Sequence, residues 1–199
     1  MLDKGARTRR KIIDAALQLF SVKGYYHTSI NDILNATELT KGGLYCHFQS
    51  KEDIWYAVYD EAVVIWREIV FKGMREIQEP LLRIDRTCDN VLRLYLATDT
   101  FDGGCFFVNM LVELSGQSAK MSRHILRGFV GFSKLFQAWL MEADQKDRLR
   151  PGLNFKEVAN FLVITLNGAA TLYVSSRDKT LLQPTAGQIR FYIRQLMKV

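Results

Sequence analysis

Lys41 is followed by two glycines, preceded by Thr40, and trailed by Tyr45, His47 and Lys51. These side chains carry hydrogen-bond donors and positive charge, and none sits in a nucleophile-and-base pattern of the kind that makes or breaks bonds. The chemistry open to them is recognition of anionic oxygens and base edges. Two glycines in a short helix cost on the order of 1 kcal/mol each relative to alanine. A leading end without side chains brings backbone N–H groups and Lys41 close to a phosphate. Tyr45, His47, Lys51 and, upstream, Thr28 then supply donors for flanking phosphates. The competing reading is a turn whose glycines only end a helix.

The elements around these residues fit the first reading. Ser29 and Asp32 form a capping-box-like start, and Ile30, Ile33 and Leu34 share one face, which predicts a short helix over 29–36. Thr37 to Leu39 make a turn. Thr40 can cap a second helix whose inward residues are Leu44 and Phe48. Two short helices so joined read as a helix-turn-helix, whose second helix enters the major groove with its first residues nearest the bases. Upstream, Ile12, Ile13, Ala16, Leu17, Leu19 and Phe20 predict an amphipathic bracing helix from Arg7 to Lys23, ending at Gly24. Tyr25 and Tyr26 read as packing and turn residues.

The segment TKGGLYCHFQSKEDI resembles the DNA-binding signature of the TetR family of bacterial repressors, whose common form is Lys-Gly, an aromatic pair, Phe, then Lys-Glu. With TSINDI and the helix before it, the resemblance covers roughly residues 7 to 60. It departs at Cys46, where the family often has an aromatic residue or His, and at Gly43, where Thr, Ser or Ala is common. The second departure removes a side chain able to touch a base or phosphate. The resemblance implies a homodimer on double-stranded operator DNA, contacting it through Thr28, Thr40, Lys41, Gly42, Gly43, Tyr45, His47 and Lys51. It also implies a small-molecule effector in a helical body.

Composition agrees. The 199 residues carry a formal charge of +6, and a basic balance favours a polyanionic partner. Within residues 1–51 the bases Lys4, Arg7, Arg9, Arg10, Lys11, Lys23, Lys41 and Lys51 face Asp3, Asp14, Asp32 and Glu38, so eight minus four places +4 of that charge in a quarter of the chain. Cys46, Cys88 and Cys105 show no metal-type spacing and suit a reducing cytoplasm. No leader pattern is evident, and no segment is expected to span a membrane. Neither a cofactor nor a metal is expected.

The rest of the chain predicts a larger helical body. Ser50 starts a helix carrying Trp55, Val58, Ala62, Ile65, Trp66 and Ile69, with no stop before Pro80, hence about 40 Å long at 1.5 Å per residue. Further helices are expected over Leu81 to about Thr100, Met121–Ala143, Phe155–Ser176, and from beyond Pro184 to Val199, with a loop over Thr98–Gly104. Within the short apolar run from Cys105 to Leu114, Cys105, Asn109 and Glu113 form one polar stripe, bonded within the protein or facing a ligand. The run GCFFVNMLVEL resembles a segment from a branch of the family that includes sensors of reactive electrophiles. In that setting Cys105 at a helix start would react as thiolate; otherwise it is a small buried hydrophobe. Trp66, Cys105, Asn109, Glu113 and His124 are the candidate ligand contacts, and Arg127 is a further polar group near His124. Surplus apolar surface on the last two helices predicts a two-fold, four-helix interface through Phe161, Thr165, Ala169, Ile189, Tyr192, Ile193 and Leu196.

The expectation is all-α: a three-helix helix-turn-helix domain over 1–50, then an effector-binding and dimerisation domain over 51–199. The function expected is a repressor released from a palindromic operator by a small molecule. Two rivals stand beside it. An enzyme on a helical bundle finds no Glu-x-x-His, HExxH, GxGxxG or GxSxG motif, only the chance-level Ser176 and Lys179 spacing. A helical adaptor that has lost DNA binding is opposed by the intact basic head.

Overall fold

A computed structural model describes residues 3–198. Among them run nine α-helices: α1 (Lys4–Lys23), α2 (Ile30–Thr37), α3 (Lys41–Tyr45), α4 (Lys51–Val70), α5 (Pro80–Asn90), α6 (Phe106–Leu114), α7 (Ala119–Gln145), α8 (Phe155–Ser176) and α9 (Leu182–Leu196). The described residues contain no sheet, only one isolated antiparallel bridge between Leu149 and Met197. The expected continuation of the last helix to Val199 lies outside the described residues.

The head forms as its sequence dictates. Asp3 caps α1 by accepting from the Ala6 amide at 2.7 Å, which sets a carboxylate against the dipole that the following basic residues oppose. Ile12, Ile13, Ala16, Leu17 and Phe20 are buried along one stripe of α1. Ser29 and Asp32 make the full capping box of α2, and Thr40 caps α3 through the Gly43 amide at 3.2 Å. Leu44 and Phe48 are buried, as are Ile54, Trp55 and Val58 from the first turns of α4. The start of α4 therefore closes the core of the head.

Three expectations about the body are corrected. First, α4 stops at Val70, so it spans about 30 Å rather than 40. Gly73, at φ +76°, reverses the chain, and the Asn90 amide nitrogen donates to the carbonyls of Val70 at 2.9 Å and Lys72 at 3.1 Å. The Val70 carbonyl is an orphan of the helix end and the Lys72 carbonyl belongs to the turn after it, and a side chain from α5 satisfies both. Second, the expected helix from Leu81 to Thr100 is two pieces. α5 ends at Asn90 and a π-helical segment follows from Val91 to Leu96; the Ala97 amide donates to Leu92 O, five residues back, at 3.1 Å. Third, α8 is a 22-residue helix long and apolar enough, by length and composition, to cross a membrane, against the expectation that no segment would be. Its buried residues, from Val158 to Tyr173, serve the protein core instead, because α8 packs along α7.

Pro184 sits inside the first turn of α9 rather than before it, where proline's missing N–H has no intrahelical partner to lose. α9 lies against α5 and α8. An ion-pair network helps fix it: Arg190 Nε reaches Asp85 at 3.0 Å and its Nη2 reaches Asp89 at 3.3 Å.

Asn90 is 3% exposed and holds two carbonyls of the α4 end. Asn90→Ala is expected to lower unfolding free energy by about 1–3 kcal/mol, because both acceptors lose a buried donor. Asn90→Asp at neutral pH should do at least as much harm, since a carboxylate cannot donate. Urea unfolding of the two variants checks this, and a loss for Ala with none for Asp would contradict the capping role.

Candidate nucleic-acid interface and effector cavity

In the head, α3 and the turn after it leave Thr40, Lys41, Gly42, Tyr45 and Cys46 exposed, with Gly43 and His47 half-exposed. The two glycines are not demanded by the chain's own packing. A Cβ at Gly42 would meet nothing within 4 Å, and one at Gly43 would meet only the Thr40 hydroxyl at 3.3 Å. Neither has positive φ. The first turn of α1 lies beside this surface, since a Cβ on Gly5 would come within 3.9 Å of the His47 ring. Arg9 sits over Phe48 at 5.0 Å.

The basic residues divide into two groups. Arg10 pairs with Asp14 at 2.8 Å and with Glu61 of α4 at 2.7 Å, and Lys23 pairs with Asp32 at 3.3 Å. Among the described residues, Lys4, Arg7, Arg9, Lys11 and Lys41 form no ion pair. Two residues expected to touch phosphates are turned inward. Thr28 is fully buried and its hydroxyl donates to Gly24 O at 2.7 Å. Lys51 donates from Nζ to the carbonyls of Tyr25 and Thr28, both at 2.9 Å, and lies over the Tyr25 ring at 4.2 Å. Burial pushes its pKa down, with Glu113 nearby opposing that shift.

The Lys51 contacts belong to a joint between head and body. Glu113, on α6, accepts from the amides of Tyr25 at 2.9 Å and Tyr26 at 2.8 Å through its two carboxylate oxygens. Gly24, at φ +85°, makes room: a Cβ there would lie 2.7 Å from both oxygens. Gly103 has a similar constraint, because a Cβ would fall 1.6 Å from Ser21 O on the last turn of α1. Side chain, backbone and charge thus meet where α1 ends and α6 passes. Asn109, on the same stripe, donates to Gly103 O at 2.8 Å and so holds the loop that touches α1.

In the body, α4, α7, α8, the π-helical segment and the start of α6 surround a half-open cavity of about 640 Å³. Of the candidate ligand contacts, Trp66, Cys105 and His124 line it, whereas Asn109 and Glu113 are engaged at the joint. The wall is aromatic. Trp66 meets Phe132 edge-on at 5.0 Å and Phe107 at 6.3 Å, and Tyr59 meets Phe107 at 5.7 Å. The exposed lining residues Asp60, Arg67, Arg127, Gly128 and Gly131 mark the opening, between α4 and α7. Cys105 is not poised as a thiolate: burial pushes its pKa up, and its sulfur takes the Tyr95 hydroxyl at 3.6 Å.

The apolar residues expected at a two-fold interface also divide. Ile189, Ile193 and Leu196 are buried in the chain's own core, and Ala169 nearly so. Thr165 is half-buried with its hydroxyl on Phe161 O. Phe161 is 48% exposed and packs tilted against Tyr192, ring centroids 4.7 Å apart. Sequence periodicity did not separate them from Ile164, Leu172 and Phe191, which are the apolar residues that α8 and α9 leave exposed beside Phe161. No group of three or more potential metal ligands occurs among the described residues.

Two family models cover most of the chain: bacterial regulatory proteins of the tetR family over residues 12–58, and the tetracyclin repressor-like C-terminal domain over residues 80–188. The chain belongs to the TetR family. It is 31% identical over 169 residues, 82% of either chain, to the HTH-type transcriptional repressor DhaR of Mycobacterium sp. (strain GP1). It matches a TetR transcriptional regulator from Chloroflexus aurantiacus over 100% of both chains, with a TM-score of 0.91 and 27% identity. A TetR-family regulator from Cytophaga hutchinsonii shares the fold at a TM-score of 0.86 and 20% identity, over 100% of this chain and 99% of that one. The chain is therefore a DNA-binding transcriptional regulator and not an enzyme.

Two outcomes follow from the head and its joint. Glu113→Ala leaves the Tyr25 and Tyr26 amides without their acceptor, and should cost about 2–3 kcal/mol and speed exchange of both amides. Unchanged exchange at both would contradict the joint. In the capping box, hydrogen bonds from the Ser29 hydroxyl and amide, then Lys23, lower the Asp32 pKa from 3.8 to about 2. The stability this contributes is complete above pH 3.8 and is lost as pH falls through about 2. Carboxyl NMR should give that low midpoint, shifted upward in Ser29→Ala.

Proposed function

We propose that this TetR-family regulator is a repressor that binds operator DNA as a homodimer and is released by a small molecule in the helical body. Its division would be a DNA-binding head over 1–50 and an effector-binding and dimerisation body over 51–199, acting in the cytoplasm. The observation that carries the proposal is the exposed Thr40-Lys41-Gly42-Gly43 end of α3, whose glycines answer no need of the chain's own packing. A surface that must approach a duplex closely is a reason for them. Thr40, Lys41, Gly42 and Gly43 would lie nearest the bases, with Tyr45 and His47 on flanking phosphates. Lys4, Arg7, Arg9 and Lys11 would extend the phosphate contact. Thr28 and Lys51 would act from inside, shaping the turn that presents α2 and α3.

The dimer would form through the exposed apolar faces of α8 and α9, with Phe161, Ile164, Leu172 and Phe191 at its centre. That arrangement would set two α3 helices in major grooves about one turn, roughly 34 Å, apart. A cavity walled by Tyr59 and Trp66 shares α4 with the face that packs on α1 of the head. An effector that binds one α4 position better than the other would shift the head spacing, and only by that difference in affinity.

Gel retardation on the chain's own upstream DNA tests this. Gly42→Ala should leave unfolding stability unchanged or raised by up to about 1 kcal/mol, as helix propensity requires, and yet weaken retardation. Wild-type affinity should fall steeply with salt as phosphate contacts release counterions. Tight, salt-insensitive binding, or full binding by Gly42→Ala together with Lys41→Ala, would refute the assignment.

A further inference from the structure

Resting on the effector reading above, we infer that the cavity takes an amphipathic monoanion: an aromatic or fused-ring body seated against Trp66, Phe107 and Phe132, with one carboxylate- or sulfonate-type group held at the opening by Arg67 and Arg127. Trp66, Phe107 and Phe132 pack edge-on against one another and line the cavity with aromatic surface suited to a flat apolar body, and about 640 Å³ suits a drug-sized molecule. The charge at the opening decides what the polar end is.

Three formal charges line that opening: Arg67, Arg127 and Asp60. Among the described residues neither arginine forms an ion pair with a carboxylate. Arg127 instead donates to His124 Nδ1 at 3.2 Å, and Arg67 lies 5.9 Å from the Phe71 ring centroid. A ring nitrogen that accepts from a guanidinium carries a lone pair, so His124 is neutral there. Two positive charges minus one negative leave +1. An aromatic box can also attract a cation, but two guanidinium groups against one carboxylate oppose that occupant. Guanidinium donors have the fork geometry that grips a carboxylate or sulfonate with two bonds. On the same cavity wall, the Tyr59 hydroxyl reaches toward α7, 2.6 Å from where a Gly128 Cβ would stand. No residue among those described bonds it, which leaves a donor for the same anionic group.

Two dyes that share a body and differ in charge test the inference on the full-length protein: anilinonaphthalene sulfonate and its uncharged counterpart N-phenylnaphthylamine, titrated by calorimetry and fluorescence. The sulfonate should bind once per chain, at least about tenfold more tightly than the neutral dye. Arg67→Gln with Arg127→Gln should remove that advantage while leaving the neutral dye within about twofold of wild type. Gly131→Trp fills the opening, where a Cβ meets nothing within 4 Å, and should abolish both. If the neutral dye binds as tightly as the sulfonate, or the double variant weakens both alike, the anion inference is overturned and the effector cavity stands. If neither dye binds, or binding survives Gly131→Trp, the cavity reading and the inference with it are both overturned. Retardation of operator DNA is scored separately in every variant.

Discussion

A carboxylate on α6 ties the turn after α1 to the helical body. Glu113 accepts the consecutive amides of Tyr25 and Tyr26, which follow α1 and have no helical partner. Its charge is answered by Lys51, held on the carbonyls of Tyr25 and Thr28. A carboxylate bound to backbone amides in a partly buried site makes stronger hydrogen bonds than neutral pairs do. The surrounding glycines show how tightly the joint is drawn, since a methyl group at Gly24 or Gly103 would collide with Glu113 or with Ser21. The head cannot move as an independent bead while this contact lasts.

The joint also explains the stripe on α6. Cys105, at its beginning, lies in the cavity wall beneath the Tyr95 hydroxyl. Asn109, one turn on, holds the Gly103 loop against α1, and Glu113, another turn on, holds the turn beyond α1. One short rigid helix therefore touches the cavity at one end and the head at the other. α4 runs between the same places, packing against α1 in the head and carrying Trp66 in the cavity wall. The π-helical segment from Val91 to Leu96 adds Val91, Tyr95 and Leu96 to that wall. Such segments recur at functional sites, and here the wider turn forms part of the cavity wall.

Burial and polarity are divided economically between α8 and α9. Their inward stripes complete the monomer core, and their outward residues Phe161, Ile164, Leu172 and Phe191 remain exposed. Exposed apolar residues of this size are the basis of the association face proposed above. The hydropathy of α8 has the same origin, because its exposed residues Phe161, Ile164 and Leu172 are apolar as well as its buried ones.

Much of the head was legible in the sequence, because its signals are local. The Ser29–Asp32 capping box, the Thr40 cap and the stripe ending at Phe20 depend on residues a few positions apart, and each formed where periodicity and capping chemistry placed it, whereas α3 stops at Tyr45 and Phe48, expected inside that helix, is buried from the turn after it. The exposed Lys41-Gly42-Gly43 end was equally legible. What the sequence left open was settled by partners far along the chain. α4 ends at Val70 because Asn90 caps it, Lys51 turns inward because Tyr25 and Thr28 offer carbonyls, and Glu113 meets the Tyr25 turn across 88 residues. Which apolar side chains of α9 face inward was likewise set by α5 and α8 rather than by its own pattern. Propensity and spacing decide whether a segment becomes a helix; which unpaired donor, acceptor or apolar face it will find is a property of the folded chain.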